Sequence, residues 1–173
     1  MNKFLLYRIK SYLNRFLMNQ IAAKLPFSSI RNKLYKMAGL KIGKDVRINS
    51  NVFFSTSNIE IGQGAFVNRF CQVHDGLMGG RLFIGKGVFV GFNVVCCLVS
   101  HKIGESGQRA GKRIAGDIHI GDGSWIGANV TILPNVTIGK GCIVAAGSLV
   151  NKDCLDNCMY AGVPAKLIKA LDN

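Results

Sequence analysis

Through the middle and C-terminal parts of the chain an aliphatic residue returns at every sixth position. Ile120, Ile126, Ile132, Ile138, Val144 and Val150 form the longest unbroken register. Ile61, Val67 and Val73 form a second, Ile84, Val90 and Cys96 a third, and Ile42 and Ile48 begin a weaker one. Glycine follows directly in Ile42-Gly43, Ile61-Gly62, Ile84-Gly85, Val90-Gly91, Ile120-Gly121, Ile126-Gly127 and Ile138-Gly139. A period of six fits neither an α-helix nor a strand with one buried face. It fits a solenoid whose short strands each send one aliphatic side chain inward before a turn. Small or β-branched residues four positions further on (Ala65, Val88, Val94, Val130, Val136, Cys142) complete the inner stack, and glycine lets the backbone bend without a Cβ clash. Three strands close one triangular coil.

The register fails in three places. The step from Phe54 to Ile61 is one residue too long, and from Val73 to Ile84 it slips by five through Asp75-Gly-Leu-Met-Gly-Gly80. The largest break, residues 100–113, is polar and glycine-bearing, after which Ile114 restores the phase. Loops that leave a rigid scaffold are where function usually sits. Before the coil, Leu5, Ile9, Leu13, Phe16 or Leu17, Ile21 and Leu25 recur at helical spacing until Pro26. A second helix is expected from Ser28 or Ser29, aligning Ile30, Leu34 and Met37 and stopping at Gly39. A last helix is expected from Pro164, carrying Lys166 and Lys169. The expected organisation is a basic helical segment (1–40), the coil (41–163) and a helical tail (164–173).

Composition alters this picture in two respects. The net charge of +13 is concentrated: residues 1–44 hold ten Lys or Arg and no acid, which suggests a local anionic partner. The six cysteines form no C-x-x-C pair and no secretory signal is evident, so buried reduced thiols in the cytoplasm are expected rather than disulfides or zinc. A basic amphipathic segment of this kind could lie on the inner face of a membrane through residues 1–25, or cap the open end of the coil. It lacks the interleaved aromatics of a single-strand nucleic-acid binder, so no nucleic acid is expected.

Three stretches carry a family resemblance: Ile120-Gly-Asp-Gly-Ser-Trp-Ile-Gly-Ala-Asn-Val-Thr-Ile-Leu-Pro134, Ala146-Gly-Ser-Leu-Val-Asn-Lys-Asp153 and Ala161-Gly-Val-Pro-Ala-Lys166. Together they resemble the hexapeptide-repeat acyltransferases, and among them the galactoside and maltose acetyltransferases and the related polysaccharide O-acetyltransferases. The resemblance implies a left-handed parallel β-helix (an all-β solenoid with flanking helices), a homotrimer with sites at subunit interfaces, acetyl-CoA as co-substrate and no metal.

Acetyl transfer from a thioester to a hydroxyl needs a base, and imidazole, with an ordinary pKa of ~6.5, is suited to it. His101 opens the long excursion, where the resembling enzymes place their catalytic histidine. His119, between Ile118 and Ile120, should point outward, and the role of His74 is open. In Phe66-Val-Asn-Arg-Phe-Cys-Gln-Val-His-Asp75 the resemblance implies that Asn68 and Asp75 face the acceptor and the base. A turn role for Asn68 competes with that. By the same resemblance the CoA groove runs past Trp125, Ala128, Ala146, Asn151 and Lys152, with Lys166 and Lys169 near the CoA phosphates.

Other functions are weaker. A β-helix carbonic anhydrase needs three converging histidines, two of them close in sequence; here they stand 27 and 18 residues apart. A non-catalytic basic β-helix that scaffolds or binds nucleic acid is permitted by the charge, but its basic part lacks aromatic stacking platforms. The acceptor expected is a sugar hydroxyl of a surface polysaccharide or its lipid-linked precursor, with a small free sugar or an amino-sugar nitrogen as alternatives.

Overall fold

In the computed structural model, residues 3–172 are described. From Lys41 onward the chain visits three parallel sheets in turn, placing one short strand in each per coil. The first face stacks Lys41–Ile42, Ile59–Ile61, Leu82–Ile84, Ile118–Ile120 and Thr137–Ile138. The second stacks Arg47–Ile48, Phe66–Val67, Phe89–Val90, Trp125–Ile126, Ile143–Val144 and Cys158–Ala161. The third stacks Phe53–Phe54, Gln72–His74, Val95–Cys97, Thr131–Ile132 and Leu149–Val150. The pairing is in register, so that Ile61, Ile84, Ile120 and Ile138 lie one above another on the first face.

The inward positions are those of the six-residue pattern. Ile126, Ile132, Ile138, Val144 and Val150 are fully buried, and Ala65, Val88, Val94, Val130, Val136 and Cys142 are buried with them. Each large aliphatic side chain so enclosed contributes about 1.5–3 kcal/mol. Glycine after the aliphatic residue has a reason beyond bending. Neighbouring coils approach so closely that a Cβ at Gly121 would lie 2.6 Å from the Gly139 carbonyl carbon, and one at Gly127 would lie 2.5 Å from the Ala146 nitrogen. All six cysteines are free, and only Cys97 is not fully buried.

The start of the chain caps the first coil, and of the residues whose spacing stood out Leu17 and Leu34 pack against the core. Helix α1 (Lys3–Phe16) runs into a wider π turn (Leu17–Ile21) and a 3-10 turn (Ala22–Lys24), and α2 spans Ser28–Met37. Met18, Ala22, Tyr35 and Ala38 join the core, whereas Ile30 and Met37 are exposed. Arg31, which the hydrophobic pattern passed over, is buried. Its Nε and Nη2 donate to the Ile48 carbonyl at 3.0 and 2.7 Å, and its Nη1 donates to the carbonyl of Leu25. It thereby satisfies carbonyls at the coil's open end, and that burial lowers its pKa.

The tail corrects the expected C-terminal helix. Lys166–Ala170 is a strand paired antiparallel with Cys158–Ala161, after a turn in which Gly162 takes φ +101°. The last strand of the second face would otherwise present unpaired backbone groups, and folding the tail back covers that edge. No helix among the described residues is long and apolar enough to cross a membrane.

Candidate active site

Successive faces are joined at three edges, and two of these flank the third face. One edge, between the second and third faces, is built of four-residue turns. The other, between the third and first faces, carries both large breaks in register.

At the second of these edges the chain leaves Gln72–His74 into a tight turn. Gly76 and Leu77 both take positive φ (+56° and +61°), and the Met78 amide donates to the Asp75 carbonyl at 2.9 Å. The buried Asp75 carboxylate holds this turn. Its Oδ1 accepts from Ser55 Oγ at 2.7 Å and from the Leu77 amide at 3.1 Å, while Ser55 Oγ accepts from the Asp75 amide at 2.8 Å. Among the described residues no hydrogen bond reaches Oδ2, which leaves that oxygen available to a further partner.

One coil later the excursion folds as a β-hairpin, Val99–Ile103 against Ala110–Ala115. Its base rests on the Asp75 turn. Val99 fills the space that a Cβ on Gly76 would need, at 3.0 Å, and the Leu98 amide donates to the His74 carbonyl at 2.7 Å. His101 lies directly across from Arg113, and side chains so paired share one face of a hairpin. Arg113 Nη1 donates to the Gly76 carbonyl at 3.1 Å. The face that carries the His101 imidazole is therefore the one turned toward the Asp75 turn. His101 itself is exposed, and among the described residues its ring makes no hydrogen bond. On the return strand's side, Arg81 Nε and Nη2 donate to Asp117 Oδ2 at 3.0 and 2.7 Å, pinning the end of the excursion to the end of the loop. Hydrogen bonding from Arg81 holds the Asp117 carboxyl below its ordinary range.

The other expected site residues divide between the two edges. Asn68 sits in a four-residue turn at the first edge, where its Oδ1 accepts from the Arg69 amide at 2.9 Å and from Asn49 Nδ2 at 3.0 Å. Those bonds give it the turn role, and its Nδ2 is the group left for a ligand. Ala128 and Ala146 occupy equivalent turns two and three coils further on at the same edge, and the Gly147 amide donates to the Ala128 carbonyl at 2.8 Å. Trp125 stands outward on the second face, just over half exposed, between Phe89 and Ile143. Lys166 and Lys169 lie on the returning strand at the end of that face. Asn151 and Lys152 follow the third-face strand and so belong with Asp75 and His101 at the second edge. One chain gathers Asp75, His101, Asn151 and Lys152 along one edge, and Asn68, Ala128 and Ala146 along the other.

The remaining histidines are engaged elsewhere. His119 points outward and stacks on Phe83 with ring centroids 4.4 Å apart. His74 Nε2 lies 3.0 Å from Gln72 Oε1, its ring tilted against Phe53. The three histidines thus occupy the hairpin and two different faces, and among the described residues no group of three His, Cys, Asp or Glu could hold a metal ion. A shallow groove of about 440 Å³ lined by Phe83, Lys86, His119 and Asp122 belongs to the first face, away from His101.

Two positions escaped the sequence pattern. Ser55 lies in the step between Phe54 and Ile61 that is one residue too long, so the anomaly was visible although its meaning was not. Arg113 closes the excursion, but only the hairpin pairing reveals that it faces His101.

Residues 117–152 match the family described as bacterial transferase hexapeptide (six repeats). Galactoside O-acetyltransferase of Escherichia coli K12 is 32% identical over 144 residues, 83% of this chain and 70% of that protein. Among solved structures, a galactoside acetyltransferase in complex with coenzyme A is similar with a TM-score of 0.85 and 30% identity, covering 99% of this chain and 84% of the other. A hexapeptide-repeat acetyltransferase of Vibrio cholerae O1 biovar eltor complexed with acetyl coenzyme A is similar with a TM-score of 0.80 and 27% identity, over 96% of this chain and 87% of the other.

Proposed function

The chain belongs to the hexapeptide-repeat acetyltransferases, and we propose that it moves acetyl from acetyl-CoA to a sugar hydroxyl, with His101 as general base. The observation that carries this reading is the hairpin, which sets an exposed imidazole on the face turned toward the buried Asp75 carboxylate. The left hand of the coil rests on the family membership.

The division of candidate residues between two edges supports a homotrimer. If the edge bearing His101 meets the edge bearing Ala128 and Ala146 on the next subunit, each subunit pair completes one site. The pantetheine arm then runs between coils whose backbone N–H and C=O groups can read its amides. Ala128 and Ala146 leave it room, Trp125 flanks it, and Lys152, Lys166 and Lys169 supply cations for the CoA phosphates. Asn68 Nδ2 and Asp75 Oδ2 are the atoms free to orient the acceptor or the imidazole.

In the reaction His101 takes the acceptor hydroxyl proton as the oxygen attacks the thioester carbonyl carbon. Backbone N–H groups stabilise the tetrahedral oxyanion. Collapse breaks the carbon–sulfur bond, and the imidazolium returns its proton to the departing thiolate, leaving an O-acetyl ester and free CoA. The acceptor proposed is a sugar of a surface polysaccharide or of its lipid-linked precursor, in keeping with the cationic N-terminal segment.

Thiol release from acetyl-CoA against a panel of glycan acceptors tests the proposal. A chain that releases CoA thiol with none of them, while binding acetyl-CoA, would sink the sugar assignment. Cys71 and Cys154 should stay silent in a short assay, because burial pushes Cys71 up to about 11 and Cys154 up to about 12.

A further inference from the structure

Helix α1 leaves an apolar stripe off the core. On the side that faces the protein, Asn14 Nδ2 donates to the Ala38 carbonyl at 2.8 Å, and Ser11 is half-buried. Its apolar side faces outward. Leu5, Leu6, Ile9, Tyr12, Leu13 and Phe16 are each between 43% and 63% exposed. At 3.6 residues per turn these six share an arc of about 120°. Arg8 and Arg15 border that arc on one side and Lys10 on the other.

An apolar stripe edged by cations is the pattern of a helix lying in a membrane interface. From these observations we infer that α1 docks on an anionic lipid surface, its stripe among the acyl chains and its basic borders at the headgroups. Charge selects this occupant over a second copy of the chain. Residues 1–44 hold ten cations and no acid, so two such stripes meeting face to face would oppose like charges. With 14 residues the helix is about 21 Å long, too short to span a bilayer and suited to lying along it. The capping of the coil is performed by the following segment, through Met18, Ala22, Arg31 and Tyr35, which leaves α1 free for this role. The docking stands independently of the acetyl transfer. If both hold, the site works beside lipid-linked glycans.

Sedimentation of the full chain with vesicles tests the docking without turnover. Binding is expected to vesicles of phosphatidylcholine mixed with phosphatidylglycerol, and not to phosphatidylcholine alone, and it should fall steeply with salt. Ile9→Glu with Leu13→Glu should abolish binding while thiol release with a soluble acceptor and the assembly mass stay unchanged. Lys10→Gln and Arg15→Gln should each weaken it roughly fivefold. Vesicle binding unaffected by the Ile9/Leu13 pair would overturn the inference. So would a loss of assembly mass in that pair, which would assign the stripe to another copy of the chain.

Discussion

The two edges that flank the third face meet the same stacking constraint in different ways. At the edge between the second and third faces each coil turns in four residues (49–52, 68–71, 91–94, 127–130 and 145–148). The third residue of each takes positive φ: Asn51, Phe70, Asn93, Asn129 and Gly147. Asn93 Nδ2 donates to Asn129 Oδ1 at 2.8 Å, tying one turn to the next. At the opposite edge the connections differ in length, and two expand into the Asp75 turn and the His101 hairpin. The regular edge has glycines pressed against the backbone of the next coil, so an insertion there would separate the stack. The irregular edge projects its extra residues away from the prism and leaves the in-register strands on either side undisturbed. The proposed base and its neighbouring carboxylate therefore sit where length can change without loss of pairing, while the uniform edge offers a smooth backbone track.

The sharpest way to break this contrast is at the hairpin. Replacing His101 with alanine should lower kcat/KM by roughly 100- to 10,000-fold, read by thiol release. The melting temperature should hardly move, because the residue is exposed. Retention of near-normal transfer would remove the irregular edge from the chemistry.

The next largest effect belongs to the regular edge. Gly127→Ala brings a Cβ against Ala146 and Val144 backbone atoms and should cost about 1–3 kcal/mol in denaturant unfolding. Gly107→Ala, at the hairpin tip with nothing within 4 Å, should change stability by less than about 0.5 kcal/mol. Equal costs at the two positions would contradict the difference drawn between the edges.

Ser55→Ala probes the support beneath the Asp75 turn. It removes one bond to a buried carboxylate and leaves the Asp75 amide without its acceptor, at a cost of about 1–3 kcal/mol. If the turn orients the site, transfer should slow as well, with kcat falling more than KM rises. A stability loss with unchanged kcat would confine Ser55 to folding.

The smallest effect concerns the pin between Arg81 and Asp117. Its folded carboxyl lies below the ordinary value, so the stabilisation is present above about pH 4 and is lost as pH falls through the lower folded value. Both side chains are partly exposed, which keeps the contribution small. Asp117→Asn should flatten the acid limb of the melting profile slightly, and an unchanged limb would show that the pin does not couple to folding.

The sequence by itself determined the coil. A six-residue period is local information: each hexad states which side chain goes inward and where the backbone must turn, so the buried ladder running from Ile42 to Val150 follows from it. It also determined where the repeat fails, and so pointed to Asp75 and His101. Tertiary structure decided what depends on residues far apart in the chain. The hairpin register sets His101 opposite Arg113, Ser55 reaches Asp75 from the coil before, and the candidate site residues divide between two edges. The tail became a strand because an edge needed pairing, which no local helix signal could reveal. The apolar spacing of α1 was legible, but not its direction, because Asn14 and the buried Met18 fixed the opposite side against the coil. Periodicity identifies a face, and only contacts between distant segments decide which way that face is turned.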